Sequence, residues 1–82
     1  MFRAKKTRIF HSYKDANSKV SRYLIESDSV TLEFKNNSSY RWTNQSSTPE
    51  NIAKMKTLAT SGKGLDAFVE STVKDTWLKK IR

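Results

Sequence analysis

The segment Val30-Thr31-Leu32-Glu33-Phe34 constrains the fold most, because its strict alternation puts Val30, Leu32 and Phe34 on one face of an extended strand. Thr31 and Glu33 are expected to face water on the other side. Lys35-Asn36-Asn37-Ser38-Ser39 follows with residues that tolerate turn conformations, and Tyr40-Arg41-Trp42 then resumes the alternation, which predicts a β-hairpin. Tyr40, Trp42 and Arg41 are of the type that stacks single-stranded bases on an open sheet, but Tyr40 and Trp42 are in register with the apolar face and are expected instead to pack as core beneath helices. Arg41 is expected to point outward, and any sheet residues that touch a ligand are expected to be Arg41, Lys35 and Thr43 on the opposite face. Upstream, Ser21 to Ser27 contains Tyr23, Leu24 and Ile25 and reads as a third antiparallel strand, joined to Val30 by a tight Ser-Asp-Ser turn.

Ser46-Ser47-Thr48-Pro49-Glu50 is a helix start, with a hydroxyl cap, a proline where no amide donor is missed and a glutamate on the positive end of the dipole. Ile52, Met55, Leu58 and Ala59 supply its buried stripe. Gly62 and Gly64, flanking Lys63, are expected to end it, one of them in the left-handed conformation. A second helix is expected to bury Leu65, Phe68, Val69, Val73 and Trp77, with Glu70–Lys74 and Asp75–Lys79 as four-residue ion pairs on its exposed face. Residues 9–23 stay open: Ile9, Tyr13, Ala16, Val20 and Tyr23 recur at helical spacing, whereas Asn17 and Ser18 favour a turn. A basic arm or short first element over residues 1–17 is the preferred reading, ahead of a single domain over 18–82.

A chain of 82 residues makes one small core, removing only roughly 60–65% of its unfolded surface from water. Nine aromatic residues offset an apolar fraction of 35%, and the absence of cysteine means packing alone must hold the fold. No apolar run exceeds three residues, which excludes a spanning helix and the apolar stretch of a signal peptide, so a cytoplasmic protein without membrane contact is expected.

The strand ending at Phe34, the polar turn, Tyr40-Arg41-Trp42 and the helix begun at Pro49, with Ile52, Ala59 and Ser61 following, together resemble the KTSC domain, a small domain also found at the C-terminus of some lysyl-tRNA synthetases. The resemblance covers roughly residues 20–64. Four features depart from the family pattern: the link from Trp42 to Pro49 is longer, Gly62 and Gly64 straddle the position of the family's glycine, the aromatic pair expected after it is replaced by Leu65 and a later Phe68, and the second helix is expected to run on to Trp77. The resemblance implies a fold more than a function, and its occurrence beside tRNA-handling modules adds weight to nucleic acid as a partner.

Catalysis is not expected. His11 is the only histidine and there is no cysteine, so a zinc-type site lacks ligands, no cofactor is implied, and no nucleophile-elbow motif accompanies the serines. Charge is the informative signal. Residues 1–22 carry seven of the sixteen cations against Asp15 alone, and the net charge runs +6, −2 and +4 over residues 1–22, 23–53 and 54–82. Arg3, Lys5, Lys6 and Arg8, with Lys14, Lys19 and Arg22 behind them, are therefore candidate phosphate-binding residues, together with Lys79, Lys80 and Arg82 at the other end. Arg41 on the outer sheet face and Lys63, beside amides that open the second helix, complete the set.

These features define an α+β domain, a three-stranded antiparallel meander covered on one face by two helices with a basic N-terminal arm. Its expected function is non-catalytic binding of DNA or RNA through backbone phosphates, without sequence specificity. The alternative is a small protein-interaction module, such as a phage-encoded inhibitor of a host nuclease or CRISPR complex. An exposed sheet edge leaves a dimer open.

Overall fold

Alternation in the central hairpin is realised in full register: Val30 lies opposite Trp42 and Leu32 opposite Tyr40, so the apolar side chains of both strands share one face. A computed structural model describes residues 10–74 of the chain and the backbone of residues 79 and 80. In chain order these form β1 (His11–Ser12), β2 (Val20–Glu26), β3 (Ser29–Phe34), β4 (Ser39–Thr43), α1 (Pro49–Ser61), α2 (Leu65–Phe68) running directly into a π-helical turn (Val69–Val73), and β5 (Lys79–Lys80). All neighbouring strands pair antiparallel, in the order β1-β2-β3-β4-β5.

The α+β class and the antiparallel sheet agree with the sequence. The expected three-stranded meander is corrected to a wider sheet, in which β2, β3 and β4 form the centre and two-residue strands add to both edges. His11-Ser12 and Lys79-Lys80 have no alternating pattern to announce them. They pair because the outer edges of β2 and β4 present backbone donors and acceptors that need partners. Lys79 lies opposite Arg41 in β5, so it is not on the second helix and the expected helical spacing from Asp75 does not apply. Trp77 and Asp75 lie outside the described residues.

Two turns set the register. Glu26 pairs with Ser29 around Ser27-Asp28, the expected tight turn. At the other end Phe34 donates to the Ser38 carbonyl at 2.8 Å, and Asn37 donates back to Phe34 at 2.9 Å from a left-handed backbone with φ 73°. Asn36 closes the loop by accepting from the Ser38 amide at 3.0 Å. In β2 the register shifts between Val20 and Arg22, a bulge that returns Val20 to the core face beside Phe34.

The core forms between that face and the helices. Val30, Leu32 and Trp42 meet Ile52, Met55 and Ala59 of α1, and Leu65, Val69 and Val73 of the second helical segment. Each fully buried aliphatic side chain contributes about 1.5–3 kcal/mol, so these layers supply most of the driving force. Trp42 is 1% exposed. Its indole N–H donates to the Val73 carbonyl at 2.8 Å, tying β4 to the second helical segment.

The opposite sheet face departs from expectation. Thr31 does lie there, but it is 3% exposed and does not face water. Its cross-strand partners are Leu24 and Arg41, whose longer side chains flank the short threonine.

Helix α1 begins as the sequence predicts, with the Thr48 hydroxyl accepting from the Asn51 amide at 3.0 Å and Pro49 in the first turn. It ends at Gly62, φ 84°, whose N–H donates to the Leu58 carbonyl at 3.1 Å. Gly64 has φ 85° as well. A Cβ at Gly62 would come within 2.9 Å of the Lys14 Cβ, whereas one at Gly64 would meet only the Leu58 Cδ2 at 3.5 Å. Gly64→Ala is therefore expected to lose about 1–2 kcal/mol from its left-handed backbone alone. Gly62→Ala is expected to lose more, and urea denaturation of the two variants compares them directly.

Candidate nucleic-acid interface

One end of the molecule is built where the loop between β1 and β2 meets the α1–α2 connection. Tyr13, 7% exposed, anchors the loop: its amide donates to the Ser21 carbonyl at 3.0 Å, and its hydroxyl accepts from the Leu65 amide at 3.2 Å. Asp66 fastens the other side of the loop. One carboxylate oxygen accepts from the Ser18 hydroxyl, and the second accepts from the Lys19 amide at 2.9 Å. The Lys35 amide then donates to the Lys19 carbonyl at 2.9 Å, drawing the β3–β4 turn into the same corner.

Four lysines result at this end. Lys14 lies against Gly62, Lys63 follows that glycine, Lys19 adjoins Asp66, and the Lys35 ammonium donates to the Ala16 carbonyl at 2.6 Å. All four side chains are exposed, and none forms an ion pair among the described residues. Asp15, Asp66 and Glu70 are the acids nearby: Asp15 accepts from the Asn17 amide at 2.9 Å, Asp66 from Ser18 and Lys19, and Glu70 lies 3.9 Å from the Lys74 ammonium.

The arginines are placed differently. Arg22 is bound to Glu33 through its Nε at 2.5 Å, with its guanidinium carbon 5.3 Å from the centroid of the Phe10 ring. The hydrogen bond to Glu33, reinforced by that carboxylate's charge, raises the Arg22 pKa further. Arg41 projects from the face opposite Trp42, as expected, with its Nη2 3.8 Å from the Glu26 carboxylate and its Nε buried without a hydrogen bond. Both arginines therefore lie beside a carboxylate, which offsets their charge toward a phosphate. Lys35 is exposed at the start of the β3–β4 turn, and Thr43 lies on the outer face but is buried, accepting from the Ser46 amide at 3.0 Å. The burial of Thr43 is a correction to the expected outer-face set. Arg3, Lys5, Lys6, Arg8 and Arg82 lie outside the described residues, and Lys79 and Lys80 are described by backbone alone.

Beside the lysine corner a cleft of about 370 Å³ opens between the β3–β4 hairpin and the π-helical turn. Phe34, Tyr40 and Trp42 form its apolar floor, Glu70 and Lys74 stand on its helical rim, and Lys19 borders it on the corner side. A second depression of about 280 Å³ continues past Phe34 toward Asp66. Sequence reasoning weighed base stacking on Tyr40, Trp42 and Arg41, favoured core packing for the two rings, and did not foresee this cleft. Its one advance signal was Phe34 at a strand end, where helices cannot cover it fully.

His11 is exposed, its ring centroid 5.6 Å from that of Tyr23. Among the described residues no group of three or more histidine, aspartate or glutamate side chains is arranged to hold a metal ion, and no helix is long and apolar enough to cross a membrane. No protein-family model matches the chain, and comparisons with curated proteins and with solved structures found no match.

Tyr13 makes the corner sensitive to alkali. Burial raises its pKa above the ordinary 10.0, and the charges of Asp66 and Asp15 add to this, while the Leu65 amide opposes it. The folded state therefore holds the phenol proton more tightly than the unfolded chain. That contribution to stability is complete below the unfolded value and is lost as pH rises through the folded one. Between about pH 8 and about pH 11, wild-type unfolding free energy is expected to fall more steeply than that of Tyr13→Phe, as read by chemical denaturation at each pH.

Proposed function

We propose that this protein binds nucleic acid through backbone phosphates, without catalysis and without dependence on sequence. The observation that carries the reading is the gathering of Lys14, Lys19, Lys35 and Lys63 at one end, clear of ion pairs among the described residues, in a chain of net charge +8. Solubility alone requires no such gathering. Cations grouped on a surface bind polyanions by releasing condensed counterions, which needs no fixed ligand geometry. The terminal cations expected from the sequence, Arg3, Lys5, Lys6, Arg8, Lys79, Lys80 and Arg82, extend the same proposal.

A KTSC-like character over residues 20–64 belongs to this reading. It is supported by the sequence of a strand ending in Phe34, an asparagine-rich turn, the Tyr40-Arg41-Trp42 strand and a proline-started helix closed by glycine. Its bearing on function is the company such domains keep with tRNA-handling modules.

Fluorescence anisotropy with labelled duplex DNA across a salt series tests the proposal. Neutralising about five phosphates gives a slope of log affinity against log salt of roughly −4 to −5. Replacing Lys14, Lys19 and Lys63 together by glutamine is expected to make that slope shallower by about 2–3 while circular dichroism stays unchanged. Absence of binding to DNA or RNA at low salt, or a flat slope, overturns the proposal and favours the protein-interaction module, including an inhibitor of a nuclease or CRISPR complex.

A further inference from the structure

We propose that the cleft between the β3–β4 hairpin and the π-helical turn takes one unpaired base of the strand whose phosphates lie on the lysine corner. This rests on the phosphate-binding reading above and adds single-stranded nucleic acid as the preferred ligand. The cleft floor is the first ground. Trp42 is sealed at 1% exposure, but Phe34 and Tyr40 are only partly buried. Their rings meet edge to face, with centroids 6.0 Å apart and planes at 84°, so they form an open corner and not a closed stack. A planar base completes such a corner, since every base offers a π-face to an aromatic side chain. A volume of about 370 Å³ suits one small aromatic ligand.

Charge supplies the second ground. Lys19 adjoins both the cleft and the lysine corner, so a strand held by phosphates at the corner passes the mouth of the cleft. Lys74 stands at the opposite rim, where its ammonium is 3.9 Å from the Glu70 carboxylate. Among the described residues Glu70 is the one acid lining the cleft, and it separates the two halves of the ligand by chemistry. A carboxylate repels phosphate and accepts hydrogen bonds from amino groups on a base edge. Phosphates are thereby left to the lysines and the base to the aromatic floor.

The test compares a short single-stranded oligodeoxycytidine with an abasic strand of the same length, which carries the same phosphates and no bases. The cytidine strand is expected to bind about tenfold more tightly, within the range for one base stacked on an aromatic side chain. Its amide shifts should appear at residues 34–40 and 69–74. Phe34→Leu should shrink the difference while abasic binding is retained. Glu70→Ala, at an exposed position that leaves the core intact, should also shrink it, keeping the test decisive if Phe34→Leu unfolds. Equal binding of the two strands overturns the cleft inference and leaves the phosphate reading standing, as does a difference that survives both substitutions. Binding of neither strand overturns both.

Discussion

Asp66 holds the loop between β1 and β2 against the second helix, and the arrangement of the charged end depends on that tie. Its two carboxylate oxygens accept from the Ser18 hydroxyl and the Lys19 amide, groups nearly fifty residues away in the chain. Hydrogen bonds to a charged acceptor are each worth about 1.5–3 kcal/mol, less than the apolar core supplies but directional where the core is not. Through this contact Lys14 is laid against Gly62, Lys19 is set at the cleft mouth, and the β3–β4 turn is drawn in by its bond to the Lys19 carbonyl.

The sheet separates two kinds of burial. Toward the helices the buried groups are aliphatic and aromatic, with Trp42 held in position by its bond to the Val73 carbonyl. On the other face Ser29, Thr31, Ser39 and Thr43 are buried as well, among Leu24 and the pairs Arg22–Glu33 and Arg41–Glu26. Polar groups are tolerated there because partners lie within reach, as with the Ser29 hydroxyl donating to Glu26 at 3.2 Å. Cations on this face are engaged with carboxylates, so the exposed lysines at the loop end are the freer charges.

Much of the fold was legible before any coordinates. Alternation announced β3 and β4, the Ser-Asp-Ser turn fixed their junction with β2, and Thr48-Pro49-Glu50 marked the start of α1. The missed strands, β1 and β5, are two residues long and owe their form to neighbouring edges. The exposure of Thr31 was misjudged for a related reason, because alternation reports which face a side chain takes and not what its neighbours cover. At the candidate site, Lys14, Lys19 and Lys63 stood out by charge, while the burial of Thr43 and the cleft beneath Phe34 were not seen.

By itself the amino-acid sequence determined the local matters: the α+β class, the hairpin register, the helix caps and the steep partition of charge. These follow from side-chain period, backbone preference and composition, each readable within a few residues. Only the tertiary structure decided which cations share a surface, which arginines are matched to glutamates, and that Phe34 and Tyr40 border a cleft. Such outcomes depend on contacts between segments far apart in the chain, above all Ser18 and Lys19 with Asp66, and no local pattern encodes the distance between them.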